Sequence, residues 1–212
     1  MEMTEPTVHV VDDDASFLVA MARLLRASGH AVKTYVSASE FLAQRTADEP
    51  GCVVVDLRMP ELDGLELQAA LTRSSNPLPV LFLTGHADTV STVRAMRGGA
   101  EDFLEKRAPK AALLDAVQRA LARDAAERRV RTRRQELRSR FDTISTRERE
   151  VLGLVLQGRL NKQIADDLGI VERTVKVHRK AIMTKLGVRS VAALIHLTQE
   201  TGVQMPPAAS FP

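Results

Sequence analysis

Three acidic residues stand directly after short apolar runs in this chain of 212 residues. Residues 8–11 precede Asp12 and Asp13, and residues 52–55 precede Asp56. Short apolar runs rich in β-branched residues are typical of buried parallel strands. Since such strands end at one edge of a sheet, the three carboxylates are expected to crowd together. Crowded carboxylates repel one another, which favours a site for a cation or for a charge-transfer reaction.

Two further strand ends are followed by residues with complementary chemistry. Thr84 follows residues 80–83, and Lys106 follows residues 103–105. In a parallel sheet, this hydroxyl and this ammonium would lie at the same edge as the carboxylates. Mg²⁺ prefers oxygen ligands, and it often keeps waters and phosphate oxygens beside one or two carboxylates. A carboxylate nucleophile, Mg²⁺, a hydroxyl and an ammonium together favour phosphoryl transfer.

Alternating strand and helix signals surround these residues. Strands are predicted at residues 7–11, 31–35, 52–55, 79–83 and 101–104. Helices are predicted at residues 16–28, 38–45, 63–73 and 88–97, and a long one from about residue 110. The alternation predicts a parallel sheet with helices on both faces. We therefore expect an α/β doubly wound domain with a five-stranded parallel sheet.

The long helix is predicted to continue beyond this domain. Residues 110–140 contain neither Gly nor Pro and are rich in Ala, Arg, Leu, Gln and Glu, which are good helix formers. Leu114, Val117 and Leu121 form an apolar stripe that thins after Arg123. This pattern favours a solvated helical linker, with a short dimeric coiled coil as the alternative.

Charge is distributed unevenly along the chain. Residues 1–106 carry 9 basic and 16 acidic side chains, net −7, whereas residues 107–140 carry 11 basic and 4 acidic, net +7. This asymmetry suggests a cation site in the front part and a polyanionic partner for the back part. A single cysteine, a start unlike a secretory leader and the lack of a membrane-length apolar run predict a cytoplasmic protein with no membrane partner.

The last third of the chain predicts a small all-α domain. Ser145 and Glu148 have the spacing of a capping box at the start of one helix. Asn161 is expected to cap a second helix, and Gly169 to form the turn before a third helix over residues 172–186. Two short helices joined by a Gly-containing turn form a helix-turn-helix.

The third helix of that domain has two different faces. At about 100° per residue, Val175, Ile182 and Leu186 share the face that is expected to pack on the core. The opposite face consists of Arg173, Lys176, Val177, Lys180 and Thr184. Lysine can reach guanine O6 and N7, and valine can touch a thymine methyl, so this face predicts a reader of the DNA major groove. Arg179 projects toward the edge of the buried face and is expected to contact phosphate instead.

Roughly residues 6–122 resemble the receiver domain of two-component response regulators. The motifs that carry the resemblance, in order, are residues 10–14 (Val-Val-Asp-Asp-Asp), 56–60 (Asp-Leu-Arg-Met-Pro) with Asp63-Gly64, 84–86 (Thr-Gly-His) and 99–106 (Gly-Ala-Glu-Asp-Phe-Leu-Glu-Lys). Their order and spacing together are specific to this family.

The resemblance implies a role for each site residue. Asp56 would be the phosphoacceptor. Thr84 and Lys106 would bind the phosphoryl group, and Phe103 would reorient when Thr84 moves inward. The Mg²⁺ ligands would be Asp12, Asp13, Asp56 and the Arg58 backbone carbonyl.

One position departs from the family pattern. Arg107 stands directly after Lys106, where the family usually has a proline whose cis peptide bond aims the lysine. A cis bond before a residue other than proline costs about 2.5–4 kcal/mol. We therefore expect a trans Lys106–Arg107 bond, and the position of Lys106 becomes the open question.

Residues 143–200 resemble the helix-turn-helix output domain of LuxR-type regulators. The motifs are residues 146–152 (Thr-Arg-Glu-Arg-Glu-Val-Leu), 161–165 (Asn-Lys-Gln-Ile-Ala) and 174–179 (Thr-Val-Lys-Val-His-Arg). The resemblance implies that Lys176, Val177 and Lys180 face bases and that Lys162 and Arg179 lie near phosphates. It also implies a fourth helix, near residues 190–198, that forms a dimer on DNA. The receiver motifs are similar to those of the FixJ-like branch.

Together these features predict a phosphorylation-controlled transcription regulator and not an enzyme. A sensor histidine kinase would phosphorylate Asp56, and an active homodimer would bind double-stranded promoter DNA and activate RNA polymerase. The expected domains are a receiver at residues 1–122, a helical linker at 123–142, a DNA-binding domain at 143–202 and a disordered tail at 203–212.

Two other functions remain open from the sequence. Because Arg107 stands in place of the usual proline, one alternative is a receiver that serves as a phosphorylation-independent dimerisation module for the same DNA-binding output. The carboxylates also suggest a phosphohydrolase, although the attached DNA reader and the lack of a substrate-pocket sequence argue against that function.

Overall fold

The computed structural model describes residues 5–46, 48–85 and 88–203. The chain divides into two compact units, with the boundary between Arg128 and Arg129. The predicted disordered tail lies outside the described residues from residue 204 onward, and so does His86 of the Thr-Gly-His motif. No single helix in the described part of the chain is long and apolar enough to cross a membrane.

The first unit contains a five-stranded parallel sheet. Its strands are β1 (Thr7–Val11), β2 (Ala31–Tyr35), β3 (Gly51–Val55), β4 (Val80–Thr84) and β5 (Asp102–Glu105), in the spatial order β2-β1-β3-β4-β5. The helices are α1 (Ala15–Ala27), α2 (Ala38–Gln44), α3 (Gly64–Arg73), α4 (Thr89–Arg97) and α5 (Lys110–Asp142), whose residues fall in both units. The predicted doubly wound fold is confirmed, and the predicted strands agree with the observed ones to within a residue at each end.

Side chains on the two faces of the sheet belong to two different cores. Val53 and Val55 point into one core with Phe41 and Leu67. Their neighbours Cys52 and Val54 lie in the other core, with residues of α1 and α5. This alternation follows from the two-residue period of a strand. Cys52 is fully buried, and burial raises the pKa of its thiol, so the thiolate is disfavoured.

The second unit contains α6 (Thr146–Leu156), α7 (Asn161–Leu168), α8 (Glu172–Leu186) and α9 (Val191–Thr201). Its core includes Leu137 and Phe141 from the end of α5, both of which are buried. The core of this unit therefore extends into residues that the sequence analysis assigned to a solvated linker.

Arginines near the end of α5 bind the C-terminal turn of α9. The Nε atoms of Arg134 and Arg138 donate to the carbonyl oxygens of Glu200 (3.2 Å) and Thr201 (2.9 Å). Arg133 Nε lies 3.1 Å from the Glu200 carboxylate. The last carbonyls of a helix have no partner within the helix and carry partial negative charge, so cations are favourable there.

The helix starts of the second unit agree with expectation at one place and differ at another. Ser145 and Glu148 form the predicted capping box of α6. The prediction that Asn161 caps α7 is wrong, because Leu160 is the N-cap and Asn161 is the first helical residue. The Leu160 amide is satisfied by Gln163 Oε1 at 2.9 Å. Asn161 Oδ1 instead accepts a hydrogen bond from Arg179.

Candidate functional site

The strand register brings the carboxylates of β1 and β3 together. Val11 pairs with Val55, so the next residues, Asp12 and Asp56, lie side by side at the sheet edge. Both are buried, with 1% and 9% of their surface exposed, whereas Asp13 is exposed. Carboxylate oxygens of all three lie within 4.8 Å of one another. The structure therefore brings the predicted acidic residues into one cluster.

Lys106 reaches the two buried carboxylates from the end of β5. Its Nζ lies 2.6 Å from Asp12 Oδ2 and 3.0 Å from Asp56 Oδ2. The backbone amide of Lys106 donates to the Thr84 carbonyl at 2.8 Å, which anchors the start of the loop. The described residues contain no cis peptide bond, so the expected trans bond before Arg107 is confirmed. Lys106 therefore points into the acidic cluster without the usual proline.

Burial and ion pairing oppose each other at this cluster. Burial raises the pKa of Asp12, although hydrogen bonds from the Lys106 ammonium and the Asp14 amide oppose that rise. For Lys106, burial alone would lower the pKa, but hydrogen bonds to Asp12 and Asp56 outweigh it, so the pKa is raised. Lys106 therefore remains a cation at neutral pH and offsets part of the repulsion between the two carboxylates.

The donor set fits a hard divalent cation. Asp12, Asp13 and Asp56 each offer a carboxylate oxygen, and Mg²⁺ binds such oxygens together with water. Asp56 Oδ1 is buried and has no hydrogen-bond partner among the described residues. An unpaired buried carboxylate oxygen is costly, and a bound cation would satisfy it. The Arg58 carbonyl lies two residues beyond Asp56, in the same loop.

Thr84 and Phe103 occupy the neighbouring strands. Thr84 ends β4 and is 2% exposed. Phe103 is half-buried on β5 and stacks on its register partner Phe82, with ring centroids 5.7 Å apart. Thr84 thus ends the strand next to β3 at the same edge as Asp56, and Phe103 lies one strand further out.

The loop after β3 packs closely against Asp56. A Cβ atom on Gly64 would lie 2.4 Å from the Asp56 carbonyl oxygen and 3.0 Å from Phe82 Cε1. In the same loop Glu61 has a φ of 66°, a conformation that is unfavourable for a residue with a side chain. Asp56, the phosphoacceptor candidate, is therefore packed against a close-fitting and locally strained loop.

The sequence analysis missed one contact of Lys106. Its Nζ lies 4.2 Å from the ring centroid of Phe17 on α1, a cation–π distance. Phe17 has the helical spacing of a core residue, so the sequence carried no signal for this contact.

In the second unit, α8 presents the face that the helical wheel predicted. Val175, Ile182 and Leu186 are buried. The residues predicted for the opposite face are all exposed: Arg173, Lys176, Val177, Lys180 and Thr184. Val177 is 60% exposed although it is apolar, which is the property expected of a residue that contacts a base methyl.

Two predicted DNA contacts lie elsewhere. Lys162 is exposed on α7. Arg179 is half-buried and bonded to Asn161, so it does not join the exposed face of α8. The structure thus assembles the predicted base-facing residues and separates Arg179 from them.

A receiver fold with an acidic cluster, followed by a helix-turn-helix unit, defines the class of response regulators. Residues 8–118 match the family described as response regulator receiver domain, and residues 142–198 match the bacterial regulatory proteins of the luxR family. The chain belongs to the two-component response regulators that join a receiver to a LuxR-type DNA-binding domain, the group that includes FixJ.

Relatives cover nearly the whole chain. Nodulation protein W of Bradyrhizobium diazoefficiens is 42% identical over 200 residues, which cover 94% of this chain and 88% of that protein. Transcriptional regulatory protein FixJ of Azorhizobium caulinodans is 42% identical over 196 residues, covering 92% of this chain and 93% of that protein. The low-resolution structure of response regulator StyR is 47% identical with a TM-score of 0.81, and the match covers 92% of this chain and 99% of that one.

Proposed function

We propose that Asp56 accepts a phosphoryl group from a sensor histidine kinase. A carboxylate oxygen of Asp56 forms the new P–O bond, while the P–N bond of the kinase phosphohistidine breaks and its electron pair stays with the ring nitrogen. The observation that carries this proposal is the unequal state of the two Asp56 oxygens. Oδ2 accepts from Lys106, whereas Oδ1 is buried without a hydrogen-bond partner among the described residues.

The neighbouring residues have complementary tasks in this proposal. Asp12, Asp13, Asp56 and the Arg58 carbonyl hold Mg²⁺, which when bound neutralises charge on the phosphoryl oxygens. The Lys106 ammonium and the Thr84 hydroxyl then bind those oxygens, and Phe103 moves together with Thr84. The contact between Lys106 and Asp56 supports this function over a phosphorylation-independent dimerisation module. That alternative arose because Arg107, in place of the usual proline, left the position of Lys106 open.

A small phosphodonor tests the phosphoacceptor. The full chain is incubated with acetyl phosphate and Mg²⁺, and its intact mass is measured. We expect one added phosphoryl group in the wild type, none in Asp56→Asn, and loss of the modification when the metal is chelated. An unmodified wild type would contradict the proposal.

The output proposed for this switch is promoter binding by a homodimer. Lys176, Val177 and Lys180 face bases, with Arg173 and Thr184 beside them, and Lys162 contacts phosphate. The exposed basic face of α8 supports this assignment. Helix-turn-helix dimers read two half-sites about one helical turn apart, and dimerisation raises affinity through effective concentration. We further propose that the protein acts in the cytoplasm as an activator that works with RNA polymerase.

The dimer and the activator role each need a measurement. Light scattering on the full chain should show a monomer that becomes a dimer with acetyl phosphate. Transcription in vitro from a bound promoter should rise with the phosphorylated protein. A fall in transcription would make the protein a repressor.

A further inference from the structure

Arg179 lies on α8 closer to its buried face than any of the proposed base-facing residues. At about 100° per residue, Arg179 is only about 40° from the direction of the buried Val175. Lys176 is about 100°, and Val177 and Lys180 are about 140–160°, from that same direction. Its side chain lines a small cleft together with Leu152, Val155, Ile182, Met183 and Leu194. The stem of Arg179 therefore covers apolar core surface, as long basic side chains often do.

The guanidinium of Arg179 connects α8 to the start of α7. Its Nη1 donates to Asn161 Oδ1 over 3.0 Å, between residues 18 positions apart in the chain. Asn161 is free to accept because Leu160, and not Asn161, is the N-cap of α7. The carboxamide thus serves as a contact between two helices and not as a local cap.

The other end of α7 is held by a second arginine. Arg147 of α6 donates through Nη2 to the Leu168 carbonyl at 2.6 Å, and its Nη1 lies 2.6 Å from Glu150 Oε2. Gly169, with a φ of 62°, then ends α7 before the turn to α8. Helix α7 is thus held at its end from α6 and at its start from α8, and the second contact depends on Arg179.

We propose that Arg179 is a positioning residue, which fixes the angle between α7 and α8 through Asn161 and thereby sets the sequence specificity of DNA binding. This assignment replaces the phosphate contact expected from the sequence. It rests on the proposed base-reading role of Lys176, Val177 and Lys180. Base edges require accurate placement of α8, whereas attraction to the phosphate backbone does not, so loss of the contact should weaken specific binding selectively.

A double-mutant cycle on the full chain tests the coupling. The variants are Arg179→Met, which keeps an apolar stem in the cleft, Asn161→Ala, and both together. Binding is measured by fluorescence anisotropy on a duplex that the wild type enriches from a random library and on a scrambled duplex of equal composition. We expect each single change to weaken binding to the selected duplex about tenfold, and the double change to add nothing, as for directly coupled residues. Affinity for the scrambled duplex should change less than affinity for the selected one.

Salt dependence separates a positioning role from a phosphate contact. Each phosphate contact contributes about 0.9 to the slope of log affinity against log salt concentration. Arg179→Met should leave this slope unchanged. Lys162→Ala is the matched control, because Lys162 is a cation on α7 that is proposed to contact phosphate, and this change should reduce the slope. Unlike Asn161→Ala, Asn161→Asp keeps an acceptor oxygen for Arg179 and should retain specific binding. Thermal melting of each variant checks that the helices remain folded.

The outcomes that overturn the inference are distinct from those that overturn the proposed function. Additive losses in the cycle, a wild-type affinity in Asn161→Ala, or a reduced salt slope in Arg179→Met would each overturn the positioning role. An unchanged affinity in Lys180→Ala would overturn the base-reading face, whatever the cycle shows.

Discussion

The Lys106 ammonium donates to Asp56 Oδ2 over 3.0 Å although an arginine follows it in the chain. The same nitrogen lies 2.6 Å from Asp12 Oδ2. The lysine therefore stabilises the acidic cluster, in addition to the role proposed for it in binding the phosphoryl group.

Lys106→Met should destabilise the receiver at neutral pH without Mg²⁺. Removal of the cation leaves two buried carboxylates side by side, and we expect a loss of about 1–3 kcal/mol, less than for a fully buried pair because Lys106 is partly exposed. Saturating Mg²⁺ should stabilise the variant more than the wild type, with about 2.7 kcal/mol available at a hundredfold excess over Kd. Urea unfolding with and without Mg²⁺ measures both effects. Equal responses to the metal would contradict this account.

Stability should fall between pH 6.5 and pH 4 because of His9. Burial lowers the pKa of His9 to about 4, with smaller effects from Glu49, Lys33 and Arg45. Its Nε2 is buried without a hydrogen-bond partner among the described residues, while Nδ1 lies 3.1 Å from the Tyr35 hydroxyl. Below pH 6.5 the unfolded chain takes up a proton that the folded chain does not, so stability is lost as pH falls, up to about 3 kcal/mol.

The measurement for His9 is the free energy of unfolding from pH 7 to pH 4.5. His9→Gln should lower stability at pH 7 but flatten the pH dependence relative to the wild type. Carboxylates contribute to acid unfolding in both proteins, so the difference between the two curves is the quantity of interest. Parallel curves would show that His9 titrates normally.

Gly64→Ala should impair both folding and phosphorylation. The added Cβ would meet the Asp56 carbonyl oxygen at 2.4 Å, and the loop must shift to accommodate it, at a cost of about 1–3 kcal/mol. Gly85→Ala is the matched control for stability, because its Cβ would meet nothing within 4 Å. Denaturant unfolding and the rate of modification by acetyl phosphate test this prediction. Equal stability of the two variants would show that the loop is more adaptable than its packing indicates.

Lys180→Ala or Lys176→Ala should weaken specific DNA binding while phosphorylation of Asp56 is retained. A lost base contact costs about 1–3 kcal/mol and relaxes specificity at one position of the site. Lys176 also pairs with Glu172 at 3.0 Å on the helix surface, a contact that contributes little. Affinities for the selected duplex and for its single-base variants measure the effect. An unchanged preference at every position would place the reading face elsewhere.

Removal of the arginines that bind the end of α9 should destabilise the second unit. The double change Arg134→Ala with Arg138→Ala removes donors to the Glu200 and Thr201 carbonyls, and we expect a loss of about 1–2 kcal/mol. Ser139→Ala, on an exposed position of the same helix, is the control. Thermal melting monitored by helical circular dichroism gives the comparison. A Tm equal to that of the control would mean that these contacts are too solvated to contribute.

The sheet and the acidic cluster were predictable because both follow from local patterns. A run such as residues 52–55 identifies a buried strand, and the parallel arrangement then brings Asp12 and Asp56 to one edge. The contacts of Asn161 and Phe17 were not predictable in this way. A side chain such as Asn161 can bond either to its own helix end or to a distant donor, and only the folded packing of Arg179 decides between them.

The end of α5 illustrates a different limit. Leu137 and Phe141 are separated by charged residues and give a weak apolar signal, which is why the sequence favoured a solvated linker. One turn apart, however, they project from the same side of the helix and enter the core of the second unit. Two apolar residues one turn apart are enough when other helices of the second unit cover them.

The single cysteine of the chain gives the receiver a natural reporter of its own opening. Cys52 is fully buried in β3, four positions before Asp56, and its side chain packs in the core with α1 and α5, so a thiol reagent reacts only when that core opens. The labelling rate then measures the opening equilibrium of the core beneath the strand that precedes the proposed phosphoacceptor, without any engineered probe. Ligands that bind the acidic cluster and stabilise the receiver are expected to slow the labelling. The reactivity of this thiol therefore measures the stability of the unit that contains the proposed site.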